Sequence, residues 1–136
     1  FRTADQPMHD MWLRLTTDTD LVVHAAEAVM DAGAHGPCHL IAPNYDCLVG
    51  LKIGPGWNRA VRERLGGVKG CTHLNEMLAQ MATTAMQSLF EVVENMQDQG
   101  DGRYYLSPGL RNSCYAYALN STYVRDYFPD FYEPDS

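Results

Sequence analysis

The feature that most constrains the fold is a row of apolar residues in the second half of the chain: Leu74, Met77, Leu78, Met81, Ala85, Leu89, Val92 and Met96. Steps of three and four place them on one side of a helix, so the spacing predicts one long helix over about 72–96 with a core-facing stripe. The same stretch has no Lys or Arg, and a second line along it, His73, Glu76, Gln80, Thr83 and Gln87, is polar yet carries one certain charge. A line of that kind can flank a pocket. Thr72 stands where an N-cap is needed, directly after the glycines at 66, 67 and 70.

The rest of the chain is arranged around this helix. Residues 8–17 alternate loosely, with Met11, Leu13 and Leu15 set against Arg14 and Thr16, which is the period of a half-buried strand. Asp18-Thr19-Asp20 offers an N-cap for an amphipathic helix through Leu21, Val22, Ala25, Ala28 and Val29, stopped at Gly33. Residues 36–56 read as loop, a short strand at 47–53, and a turn at Gly54-Pro55-Gly56; a short helix follows over 57–65, closed by Gly66-Gly67. Beyond the long helix, 97–102 is a polar linker. Residues 104–106, 114–119 and 123–128 look extended, with Asn120-Ser121 as a hairpin turn, and 129–136 is an extended tail. The expected class is α+β: an antiparallel sheet packed on one long central helix and two shorter helices, in a single domain spanning 1–136. A chain of 136 residues can bury roughly two-thirds of its unfolded surface, so neither disulfide nor metal is required for folding.

Charge narrows the partners. A formal net charge of −7, with Asp126, Asp130, Glu133 and Asp135 near the end, argues against a phosphate-tracking or anionic-membrane surface. No apolar run approaches the roughly 20 residues of a membrane span, and no signal segment opens the chain. Cys38, Cys47, Cys71 and Cys114 form no CxxC pair and read as reduced thiols, which fits a cytoplasmic protein. The glycine-rich stretches lack both the Walker ending and the dinucleotide pattern.

Chemistry concentrates at Gly70-Cys71-Thr72-His73. A thiol at a helix head meets unpaired backbone N–H groups and the positive end of the helix dipole, both of which favour thiolate. His73 is then a base beside it, and His9, on the predicted first strand, is placed to meet His73 across the core. Strand alternation turns His9 and Asp10 to opposite faces. The catalytic candidates are His73, Cys71 and His9, and Asp10, Trp12, Arg59, Glu76, Gln80 and Tyr115 are candidates to hold a substrate. The plain structural alternative is a helix cap, a small buried Cys and a histidine bonded to backbone. A metal alternative, zinc or another transition metal on His9, Cys38, Cys71 and His73, stays open; otherwise no cofactor is expected. For Arg59 and Arg62 the alternative is a solvated helix face, and for the eight Tyr, four Phe and two Trp it is packing.

Pro7-Met8-His9-Asp10-Met11, Gly50-Leu51-Lys52-Ile53-Gly54-Pro55-Gly56, Gly66-Gly67, Gly70-Cys71-Thr72-His73-Leu74 and Asn112-Ser113-Cys114-Tyr115-Ala116 together resemble a bacterial family known as domain of unknown function 2889. The resemblance covers most of the chain, and the Gly-Cys-Thr-His-Leu block is its most specific part. It implies a further strand-rich stretch upstream of Phe1, and no established activity.

Three functional readings follow from the residues. The first is a small catabolic enzyme, lyase or hydrolase in type, acting by acid/base chemistry on a small organic substrate, aromatic ones included. The second is a metal-binding protein with a Cys/His site, and the third is a non-catalytic ligand-binding or homo-oligomeric subunit. The expected partner is a small molecule, without nucleic acid or membrane.

Overall fold

Met11, Leu13 and Leu15 are half-buried along the first strand, β1 (Asp10–Thr17), while Trp12, Arg14 and Thr16 between them are exposed. The period of two therefore has the meaning the sequence gives it: one face packs inward and the other meets water. The computed structural model describes residues 3–95 and 105–135, with side chains left out at 90–95. Met96, the linker at 97–102 and Tyr104 lie outside the described residues.

The second element departs from expectation, for the predicted helix after Asp18 is a strand, β2 (Val23–Ala32), antiparallel to β1. Met11 lies opposite Met30, Leu13 opposite Ala28 and Leu15 opposite Ala26, so the inner faces of the two strands match. On the outer face Arg14 stands opposite Glu27, and its Nε donates to Glu27 Oε2 at 2.5 Å. Asp18 does bond to backbone, but in a turn: its Oδ1 accepts from Asp20 N at 3.0 Å and Val22 N at 2.9 Å. Leu21 takes a φ of 61° to complete that turn.

A 3₁₀ segment, Gly36–Leu48, occupies the predicted loop and delivers Tyr45 and Leu48 fully buried. The short strand expected over 47–53 is reduced to one antiparallel bridge, Val22 to Lys52, with Val23 N donating to Leu51 O at 2.8 Å. Helix α1 (Trp57–Leu65) forms as predicted and buries Trp57, Val61 and Leu65 at the helical spacing of four. Helix α2 (Thr72–Asn95) is the long helix; Leu74 and Leu78 of its stripe, and Ala82 beside the stripe, join Val23, Ala26 and Met30 of β2 in one core. Thr72 is its first helical residue and Cys71 holds the position before it, so the predicted cap is displaced by one.

The chain divides into two compact units, 1–89 and 90–136. In the second, Leu106, Leu110, Leu119, Val124 and Phe128 form a core of their own. The extended segment predicted at 123–128 is helix α3 (Thr122–Tyr127), and the supposed hairpin turn is its cap: Ser121 Oγ accepts from Val124 N at 3.0 Å. The predicted tail folds back, since Phe131 and Tyr132 pack on this core and Glu133 N donates to Leu119 O at 3.0 Å. The molecule is α+β, and no helix among the described residues is long and apolar enough to cross a membrane.

Candidate functional site

The head of α2 is held by a phenol. Tyr45 is fully buried; its hydroxyl donates to Asn75 Oδ1 at 2.8 Å, lies 3.2 Å from Cys71 O, and accepts from Cys71 N at 3.1 Å. Asn75 Nδ2 in turn donates to Leu65 O at 2.7 Å, tying α2 to the end of α1. Burial pushes the Tyr45 phenol up to about 12, so the hydroxyl keeps its proton at all ordinary pH. Gly70 allows the close approach: a Cβ there would stand 2.3 Å from Leu65 O and 3.0 Å from Asn75 Nδ2. Asn44 Nδ2 adds a bond to Lys69 O at 2.9 Å, so consecutive side chains of the 3₁₀ segment grip the entry to the helix.

On this clamped turn sit the predicted chemical groups. Cys71 precedes the first helical residue, and its carbonyl accepts from Asn75 N at 2.9 Å, the first bond of the helix. Its Sγ is 3.9 Å from His73 Nδ1, at the outer edge of a sulfur hydrogen bond. His9, immediately before β1, meets His73 ring to ring: the centroids are 4.1 Å apart with planes tilted by 41°. His9 is half-buried, with Nδ1 shut off from solvent, whereas Asp10 is exposed, as alternation requires. The structure thus brings His9 onto His73, 64 positions away in the chain, and sets Cys71 beside the same His73.

A groove of about 560 Å³ runs between β1 and α2, lined by Met11, Leu13 and Leu15 on one wall and by Met77, Met81 and Ala85 on the other. Gln80 and Trp12, both predicted substrate contacts, also line it. Trp12 is 40% exposed, with the Arg14 guanidinium 5.5 Å from its ring centroid. The remaining candidates are placed differently. Asp10 and Glu76 are exposed. Arg59 is ion-paired to Glu63 at 2.9 Å across one turn of α1, which is the solvated-face alternative. Tyr115 belongs to the second unit and is 96% exposed.

The metal alternative finds no assembled donor set, for among the described residues no three His, Cys, Asp or Glu side chains group so as to hold an ion. Cys38 instead packs against Gly33, where an added Cβ would come 2.7 Å from Cys38 Cβ. Sequence reasoning missed Tyr45 and Asn75, although a polar Asn one turn beyond a cap, followed by apolar Leu78 at the same helical spacing, marks a face where a polar residue points into the core.

A family model described as protein of unknown function, DUF2889, matches residues 1–87. The chain belongs to this family. The DUF2889 match contains His9, Tyr45, Cys71, His73 and Asn75, so the whole helix-head arrangement lies within the family's span. No curated protein and no solved structure matches the chain.

Proposed function

We propose that the head of α2 is the acid/base centre of a small enzyme that acts on a small organic substrate, aromatic ones included, by lyase- or hydrolase-type chemistry. His73 and His9 are the proton-transferring pair and Cys71 assists. The observation that carries this reading is the ring contact at 4.1 Å between two imidazoles 64 positions apart in the chain. Imidazole is the side chain best suited to take and give a proton near neutral pH. Two imidazoles in contact can divide the work, one accepting a proton from the substrate while the other donates a hydrogen bond to it.

Two further features support the reading. Cys71 Sγ stands 3.9 Å from His73 Nδ1, a separation that shortens readily to a working hydrogen bond when a ligand closes the site. The Tyr45 to Asn75 clamp fixes the backbone on which both side chains are mounted, which is the kind of rigid support a catalytic pair needs. The protein so read is cytoplasmic, works with side-chain groups alone, and takes a small molecule as its partner.

The reading is tested through the thiol, which needs no guessed substrate. Alkylation of Cys71 by iodoacetamide, followed by peptide mass spectrometry, slows at least about tenfold in His73→Gln if His73 takes the thiol proton. Alkylation of the exposed Cys114 in the same samples stays unchanged. Equal Cys71 rates in both proteins would sink the proposal.

A further inference from the structure

The His9–His73 pair and the apolar groove belong to the same two elements, and both walls run away from the pair in the same direction. On the strand side His9 is followed by Met11, Leu13 and Leu15, every second residue and therefore one face. On the helix side His73 is followed by Met77, Met81 and Ala85, every fourth residue and therefore one face. Met11 lies about 7 Å beyond His9 along an extended chain, and Met77 lies about 6 Å beyond His73 along the helix axis. The imidazoles are not themselves among the residues lining the groove; the pair stands just beyond its Met11–Met77 end.

The charge pattern along this line defines an occupant. None of the residues lining the groove is charged, and its volume of about 560 Å³ falls within the roughly 300–1,000 Å³ of small-molecule sites. Its polar members do not break the apolar character, because Thr84 Oγ1 donates to Gln80 O at 3.1 Å and Ser88 Oγ to Thr84 O at 2.9 Å, back onto their own helix. Three methionines in the lining, Met11, Met77 and Met81, give walls that adapt to the shape of an apolar body. At the head, by contrast, stand two imidazoles, whose ring N–H groups are donors suited to an anionic oxygen. α2 carries no Lys or Arg, and Arg14 on β1, the cation nearest the groove-lining Trp12, is ion-paired to Glu27, which leaves these imidazoles as the groups on this line that can meet an anion.

We propose, building on the acid/base reading above, that the site takes an elongated apolar monoanion, an acyl or aryl-alkyl carboxylate, with its body in the groove and its carboxylate at the His9–His73 pair. The substrate is thereby oriented with its functional end against the groups that move protons.

The test uses the full chain with methyl-labelled methionine and dodecanoate, with methyl dodecanoate as the uncharged control, both kept below aggregation. The Met11, Met77 and Met81 methyl signals are expected to shift and saturate with dodecanoate, while Met86, 41% exposed and outside the groove lining, stays in place. His73→Ala weakens dodecanoate about tenfold, the worth of a hydrogen bond to a charged group, and leaves methyl dodecanoate within about twofold. Ala85→Trp fills the groove and abolishes both, and Thr84→Trp, at an exposed lining position, does the same without a buried substitution. Unmoved groove methyls, equal shifts at Met86, an equal effect of His73→Ala on both ligands, or groove shifts that follow protein concentration without ligand would overturn the proposal. If Cys71 alkylation depends on His73 but dodecanoate does not bind, the acid/base reading stands and this substrate class falls. Saturable binding with alkylation indifferent to His73 leaves the ligand site standing and removes the chemistry.

Discussion

Tyr45 is the residue on which the site's geometry turns. Its hydroxyl both donates and accepts between the 3₁₀ segment and the start of α2, so replacing it with Phe leaves Cys71 N and Asn75 Oδ1, both on half-buried residues, short of a partner. Tyr45→Phe is expected to cost about 1–3 kcal/mol in denaturant unfolding, the usual penalty for stranding buried polar groups. The same residue sets an alkaline limit. Its phenol is held at about 12 in the folded protein by burial, against about 10 in an unfolded chain, so the folded state holds the proton more tightly. That contribution is fully present below pH 10 and is lost as pH rises toward 12, up to roughly 3 kcal/mol. Ultraviolet titration should show one tyrosine ionising last, and that late step should vanish in Tyr45→Phe.

Among the elements, legibility followed the length and uniqueness of each pattern. The stripe of α2 repeats over six turns, and no strand accommodates steps of three and four for that long, so the helix was readable without its partners. β2 was not, because Ala25, Ala28 and Val29 satisfy a helical period as well as Ala26, Ala28 and Met30 satisfy a strand period. Pairing decides the matter: the inner face of β1 supplies Leu15, Leu13 and Met11 opposite those three residues, and the choice lies in tertiary contact that local propensity does not contain. Asp18 misled for a related reason, since a carboxylate that accepts from backbone N–H groups serves a turn as well as a helix cap. In the second unit the aromatic, β-favouring composition of 123–128 outweighed the spacing of Val124 and Phe128, which are buried one turn apart. α3 is only Thr122–Tyr127, and it leans on its cap. Ser121→Ala should therefore cost about 1 kcal/mol, seen as faster amide exchange within α3 and none of comparable size in α2.

At the scale of the whole molecule, the first unit is built so that a strand entry and a helix head meet. His9 was legible as a residue that could reach His73, because alternation along β1 puts it on the half-buried face, but the two rings meet at the surface, where His73 is exposed, and not across the core as the sequence suggests. Asn75 carried a local signal as a polar residue beside the apolar stripe, but Tyr45 did not, because its bonds reach 26 to 30 positions along the chain and no local period announces them. The two cores share no residue, and the groove, the clamp and the imidazole pair all belong to the first. The contact between His9 and His73 is the point on which the functional account rests, and it can be seen directly. In protein carrying isotope-labelled histidine, with the five histidines assigned by single substitutions, a nuclear Overhauser effect is measured between imidazole ring protons. Rings whose centroids lie 4.1 Å apart must give a strong cross-peak between His9 and His73, and it must disappear in His9→Gln. A folded protein without that cross-peak would contradict the paired centre and the function built on it.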